Sequence, residues 1–226
     1  MTLKIKDLKF ERNLKVKNDD ALIIVDMQYD FMPGGALPVE EGDQIIEGIN
    51  SIAKMFKNSG AKIVLTQDWH PKNHLSFASN HPGKKPGDEY QTESIGPVLW
   101  PDHCVQGSKG ARFHEHLQTI YANAIIRKGY NPKIDSYSGF RENDKKSETG
   151  LAGYLKSSKI HRIFVCGLAL DYCCYFTAMD GIELGFEAFF ITDLTKGIDI
   201  PPGNISESLE NMYNKGVKFV NKESLL

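Results

Sequence analysis

Four cysteines and seven histidines occur in this chain, and a few of them sit where reactive chemistry is possible. In the segment CGLALDYCCYFTAMD, Cys173 and Cys174 fall in the first turn of an expected helix, just after an apolar run. Unpaired backbone N–H groups and the helix dipole at such a position favour a thiolate and can hold an oxyanion. Adjacent cysteines cannot both face one site, so at most one of the two is a nucleophile. Cys166, inside the apolar run, and Cys104 read as small buried apolar residues.

In QDWHPKNHLSF, Asp68 and His70 stand two apart at the end of a second apolar run, so their side chains can point the same way. A carboxylate with an imidazole is half of a divalent-metal site, and LWPDHCV supplies His103 as a candidate third ligand. His74, His81, His114, His116 and His161 have no comparable context and read as surface or hydrogen-bonded histidines. Asp26 closes the run ALIIVD and reads either as a reactive carboxylate or as a cap or turn residue. Lys128 closes ANAIIRK and reads either as a buried charge put to use or as a strand-end residue snorkelling to solvent. Phe31 and the turn Pro33-Gly34-Gly35, which follow Asp26, are placed to line a pocket.

These residues need a frame that brings them together, and the apolar patterning predicts one. Short β-branched runs at 21–26, 61–67, 122–128, 161–167, 186–192 and 216–220 have the length and continuity of strands covered on both faces. Helical spacing recurs over 43–57, 147–157, 171–184 and 206–214, with Ser206 an expected N-cap. Such alternation predicts an α/β fold with a mostly parallel sheet wrapped by helices. Two irregular stretches, 68–118 and 129–146, follow the carboxyl ends of strands, where open α/β sheets bind ligands. Asp26, Asp68 with His70, Lys128 and Cys173 all come from such ends and can converge on one edge.

The remaining features set bounds. At 226 residues, 41% hydrophobic and 25% charged, the chain has the composition of an ordinary globular domain. A net charge of −2 gives no reason to expect nucleic acid or an anionic membrane as partner. No apolar run approaches the roughly 20 residues of a membrane span, and no secretory leader is visible, so free thiols in a cytoplasmic setting are expected. Residues 1–20 form a charged N-terminal extension ahead of a single expected domain at 21–226.

The stretches IIVDMQYDFMPGGALPV, QDWHPKNHLSF, LWPDHCVQGSKGA, KGYNPKIDSYSGF and CGLALDYCCYFTAMDGIELGF occur in that order. On them, the chain resembles the nicotinamidase/pyrazinamidase group of the isochorismatase-like cysteine hydrolase superfamily. The resemblance implies a Rossmann-like three-layer fold with a six-stranded sheet. It implies hydrolysis of nicotinamide to nicotinate and ammonia through a cysteine thioester, feeding NAD salvage, and a homo-oligomeric enzyme. It makes Asp26, Lys128 and Cys173 a catalytic triad, with an oxyanion hole at the Ala169 and Cys173 amides. It makes Asp68, His70 and His103 ligands of one divalent metal, zinc or else iron or manganese. Phe31, Trp100, Tyr137 and Leu168 become substrate contacts, with Trp69 nearby, and Leu168–Ala169 becomes a cis peptide bond. Where the family reads A-T-D-Y-C-V, this chain has Leu170 for Thr and Cys174 for Val. Other readings are an isochorismatase or N-carbamoyl amidase on the same fold, a hydrolase driven by metal-bound hydroxide, and a non-catalytic binding module.

Overall fold

The computed structural model describes residues 5–226. The first four residues of the expected 1–20 extension lie outside the described residues. Six strands form one sheet: β1 (Asp20–Val25), β2 (Lys62–Asp68), β3 (Ala124–Lys128), β4 (Arg162–Leu168), β5 (Glu187–Lys196) and β6 (Lys218–Val220). Their order is β3-β2-β1-β4-β5-β6, and every pairing is parallel. This is the doubly wound arrangement in which chain direction across the sheet reverses beside β1, between β1 and β4. The expected α/β class is therefore observed, with a sheet that is wholly rather than mostly parallel.

Four helices complete the layers: α1 (Ile46–Asn58), α2 (Leu151–Ser157), α3 (Tyr175–Glu183) and α4 (Asn204–Lys215). Strand side chains alternate between two cores. Leu22, Ile24, Ile63, Leu65 and Phe164 pack on Ile46, Ile49, Ile52, Ala53 and Phe56 of α1. Ala21, Ile23, Val25, Val64 and Val165 face the other way, onto α2, α3 and α4. Each such aliphatic side chain taken fully out of water contributes about 1.5–3 kcal/mol, which is why the sheet is continuous and unbroken at its centre.

Boundaries differ from the sequence reading for local reasons. The helix expected at 43–57 starts only at Ile46, because residues 41–45 are used in turns. α4 starts two residues before Ser206, with Gly203 at the cap in a left-handed conformation (φ 95°) that a serine would not favour. The helix expected from 171 begins as a five-residue π turn, Leu170–Cys174, before continuing as α3. Part of the N-terminal arm runs along the β6 edge and the C-terminal tail. Glu11 N–H donates to Phe219 O, Leu14 N–H to Ser224 O and Leu226 N–H to Leu14 O, at 2.7–3.0 Å.

The carboxyl ends of β1 and β4 approach unusually closely, and Gly167 permits it. Its φ is +113°, and a Cβ there would lie 2.2 Å from the Val25 carbonyl oxygen. Gly167→Ala should therefore destabilise the fold by about 3 kcal/mol or more, a fall in thermal midpoint of roughly 10 °C by calorimetry. A midpoint within two or so degrees of the parent would count against this account.

Candidate active site

Asp26 immediately follows β1 and occupies the left-handed region, with φ 47°. A short carboxylate tolerates that conformation better than most side chains. Thr66 of β2 secures it from both sides, accepting from Asp26 N–H at 3.2 Å and donating to Asp26 Oδ1 at 2.6 Å. Gln28 does the same for Asp68: its side-chain oxygen accepts from Asp68 N–H at 2.8 Å and its amide donates to Asp68 O at 2.8 Å. Both Thr66 and Gln28 are fully buried.

Lys128 ends β3, an edge strand whose outward side chains are exposed, yet Lys128 itself has 0% exposure. It does not snorkel. Its Nζ lies 2.9 Å from Asp26 Oδ2, donates to Ser136 O at 3.0 Å and to Cys173 Sγ at 3.4 Å, and pairs closely with Asp68 Oδ1. Burial alone would strip its charge, but Asp26, Asp68 and the Cys173 sulfur hold its pKa well above the usual lysine range.

Cys173 sits in the π turn that follows β4, beyond a cis peptide bond at Leu168–Ala169. The Ala169 carbonyl accepts from Tyr172 and Cys174 N–H at 3.2 and 3.1 Å. Burial pushes the Cys173 thiol well above its usual range, Lys128 opposes that, and Asp26 adds to it, a direction opposite to that of the helix-start expectation. Burial also raises Asp26, with Lys128 opposing and Asp68 adding, so the neighbouring carboxylate has an increased affinity for the thiol proton. Cys174 is fully buried in the core on the α2, α3 and α4 side and does not line the cavity.

The 68–118 excursion is folded back by two short backbone pairings. His70 N–H donates to Cys104 O at 3.0 Å and Gln106 N–H to His70 O at 2.9 Å. Ala78 N–H donates to Trp100 O and Trp100 N–H to Ser76 O, at 2.9 and 2.8 Å. His103 is thereby carried against Asp68 and His70, and the three offer ligand atoms within 4.8 Å of one another. Both rings are oriented for a cation. His70 Nδ1 is bound to Gly129 O and His103 Nδ1 to Pro101 O, each at 2.8 Å. Each Nδ1 therefore carries the proton, leaving both Nε2 lone pairs near Asp68 Oδ2, at 3.5 and 3.8 Å.

The electrostatics agree with that donor set. Burial would raise Asp68, but Lys128, then His70 and His103, hold its carboxyl well below the usual range. Burial and His70 push His103 down to about 4, so its imidazole is neutral. Burial opposes charge on His70, yet Asp68 overrides it and raises the pKa, drawing a positive charge to the place a metal would fill. Asp26, Asp68 and Cys173 also lie within 4.8 Å, but the Lys128 ammonium fills that space.

A cavity of about 420 Å³ opens onto all of this, lined by Phe31, Trp100, Tyr137, Tyr172, Ala169 and Cys173 together with the metal-site residues. Leu168 and Trp69 do not line it: Leu168 is fully buried in the α1-side core, and Trp69 stacks under the Arg127 guanidinium at 3.9 Å. Several residues of the site were not singled out from the sequence. His74, read as ordinary, is buried against the His70 ring at 4.5 Å, bound to Ser76 Oγ at 2.7 Å and to Ile134 O at 3.1 Å. Asp135 and Ser136 line the cavity from the second irregular stretch. Burial pushes Asp135 up to about 6, against a hydrogen bond from Gly96 N–H. The DSYSG composition around it marks a turn and nothing more.

Comparison with known proteins bears on these residues. An isochorismatase-domain family model matches residues 20–224. A nicotinamidase from Acinetobacter baylyi is 44% identical over 216 residues, covering 96% of this chain and 99% of that protein. The crystal structure of a nicotinamidase/pyrazinamidase from Acinetobacter baumanii superimposes with a TM-score of 0.87 at 44% identity, covering 91% of this chain and 97% of that one. A pyrazinamidase from Pyrococcus horikoshii in complex with zinc gives 0.72 at 40% identity, covering 90% and 99%.

The Lys128 cluster generates a prediction. Lys128→Met leaves the buried Asp26 carboxylate without a cationic partner and should cost about 3–5 kcal/mol of stability at neutral pH. Without the ammonium, burial and Asp68 raise the folded-state Asp26 pKa further above its unfolded value. The lost stability should therefore return as pH falls to about 5 and Asp26 folds protonated. Urea unfolding at the two pH values measures this, and a loss independent of pH would contradict the cause.

Proposed function

The chain belongs to the isochorismatase-domain family, and from that premise we propose that it hydrolyses nicotinamide with Cys173 as nucleophile, Asp26 as proton carrier and Lys128 as their electrostatic anchor. The observation that carries this reading is the Cys173–Lys128–Asp26 contact set at the floor of the cavity, one lysine away from a three-ligand metal site.

The substrate ring lies between Phe31, Trp100 and Tyr137, its carboxamide directed at Cys173. Asp26 takes the Cys173 proton as sulfur attacks the carboxamide carbon, so the thiolate forms only as it is consumed. The Lys128 ammonium, 3.4 Å from Sγ, offsets the charge that develops. Ala169 and Cys173 N–H groups receive the tetrahedral oxyanion. Asp26 returns its proton to the departing nitrogen, ammonia leaves, and a thioester remains. Asp26 then accepts a proton from water as it attacks the thioester and passes that proton to the departing sulfur, restoring the thiol and releasing nicotinic acid, which ionises to nicotinate. Asp68, His70 and His103 would hold a divalent metal, which would supply Lewis-acid character to orient the ring beside Cys173. Zinc is the metal we assign, supported by the one-carboxylate, two-imidazole donor set and by the zinc complex of the Pyrococcus horikoshii relative. The nicotinate formed feeds NAD salvage.

Cys173→Ala should reduce ammonia release from nicotinamide by more than about 10⁴-fold, while Cys174→Ala, altered outside the cavity, stays within about tenfold of the parent. Residual turnover near the parent rate in Cys173→Ala would remove the covalent route. Chelation should abolish turnover and added zinc restore it. Metal analysis of Cys173→Ala should still find one equivalent bound, because its ligands are separate from the nucleophile. A carboxamide panel completes the test: if other carboxamides are turned over and nicotinamide is not, the substrate assignment falls.

A further inference from the structure

The segment that follows β5, residues 197–205, contributes Ile198 to the lining of the cavity. It is not an independent element. Ile198 N–H donates to Asp171 Oδ1 and Asp199 N–H to Asp171 Oδ2, each at 2.9 Å. Asn204 Nδ2 donates to Asp171 Oδ2 at 3.1 Å and to Asp171 O at 3.2 Å. Tyr172 Oη donates to Ile200 O at 2.5 Å. The segment is also closed on itself, since Asp199 Oδ1 accepts from Gly203 and Ile205 N–H, both at 3.0 Å. It therefore docks as one rigid strap.

Asp171 is only 1% exposed and does not line the cavity. Both of its carboxylate oxygens are committed to the strap. A buried carboxylate requires donors, and here the strap provides them through two main-chain N–H groups and one side-chain amide. The same residue belongs to the π turn that carries Cys173 two positions later. One carboxylate thus ties the nucleophile's turn to the segment that brings Ile198 to the cavity lining. Ile198 is the strap's contribution to that lining, packed against both cores.

We propose that Asp171 is a positioning residue for the reaction above: by clamping the 197–205 strap it holds Ile198 as the pocket wall, and so governs substrate affinity rather than the chemical step. This rests on the proposed nicotinamide hydrolysis. An asparagine at 171 keeps one acceptor oxygen and turns an NH₂ group toward a backbone N–H, so the clamp opens at one of its two main-chain contacts.

The test uses the metal-loaded enzyme and the variants Asp171→Asn, Asn204→Ala, Ile198→Ala and the 171/198 double variant. Asp171→Asn should raise KM for nicotinamide about tenfold with kcat changed less than about threefold, the loss expected for one charge-assisted hydrogen bond. Ile198→Ala should raise KM similarly, and the double variant should be no worse than the poorer single one, because both remove the same wall. Asn204→Ala, which strips one donor from the clamp, should move KM the same way by less, and it serves if Asp171→Asn does not fold. Amide hydrogen exchange at Ile198 and Asp199 should accelerate about tenfold or more in Asp171→Asn. Unchanged exchange at those amides, a fall in kcat at constant KM, or multiplicative effects at 171 and 198 would each overturn the proposal. Exchange is read without substrate, so it decides the clamp even if the parent enzyme fails to hydrolyse nicotinamide, a result that would instead sink the functional reading.

Discussion

One buried ammonium holds this site together. Lys128 is wholly out of water, and a cation in that position survives only because two carboxylates, a carbonyl and a sulfur surround it. The reverse also holds: Asp26 and Asp68 are buried anions that need it. Without a metal the cluster carries one excess negative charge. A divalent ion at Asp68, His70 and His103 would turn that into one excess positive charge. Moving the Cys173 proton to Asp26 keeps that total and shifts the negative charge from Asp26 to the substrate oxygen, so the demand on the site is to relocate charge rather than to create it.

The sheet exists, for this purpose, to bring four strand ends to one place. Asp26 and Cys173 flank the point where strand order reverses, and β2 and β3 extend the same edge with Asp68 and Lys128 in register. Asp68 is the hinge between the two halves of the chemistry. Its Oδ1 serves Lys128 and its Oδ2 faces the two imidazoles. The two groups of residues are therefore coupled through one carboxylate: a cation that drew electron density from Asp68 would leave more of the Lys128 charge for Asp26 and Cys173, and by reciprocity negative charge on Cys173 would favour a cation at Asp68, His70 and His103.

Much of this was legible in the residues themselves. Asp26, Asp68, His70, Lys128 and Cys173 end apolar runs or follow them directly, and strand ends in a parallel sheet share an edge. Phe31 stands out beside the Pro33-Gly34-Gly35 turn, Trp100 and Tyr137 enter through motif resemblance, and all three line the cavity. What escaped has a common physical character. Thr66, Gln28 and Ser76 act by orienting other side chains, and nothing in their local sequence separates them from any buried polar residue. His74 becomes part of the site only because backbone pairing folds the 70–106 stretch back on itself. Asp135 becomes a cavity residue through a loop whose path no periodicity encodes. The helix-terminus argument for Cys173 leaves out burial, which pushes the thiol the other way.

The left-handed backbone at Asp26 limits how this enzyme can drift. At φ 47° a β-branched side chain is strained, whereas unbranched ones occupy the same region elsewhere in the chain, at Glu41, Cys104, Lys145 and Lys159. Side-chain reach is the second filter. Glutamate keeps the acid but is one methylene longer than the space in which Asp26 meets the Thr66 hydroxyl and the Lys128 ammonium. Position 26 thus lies where two unrelated filters, one of branching and one of reach, both favour aspartate. Neutral substitution can wander through the outward face of β3 and the surface helices while this residue stays pinned.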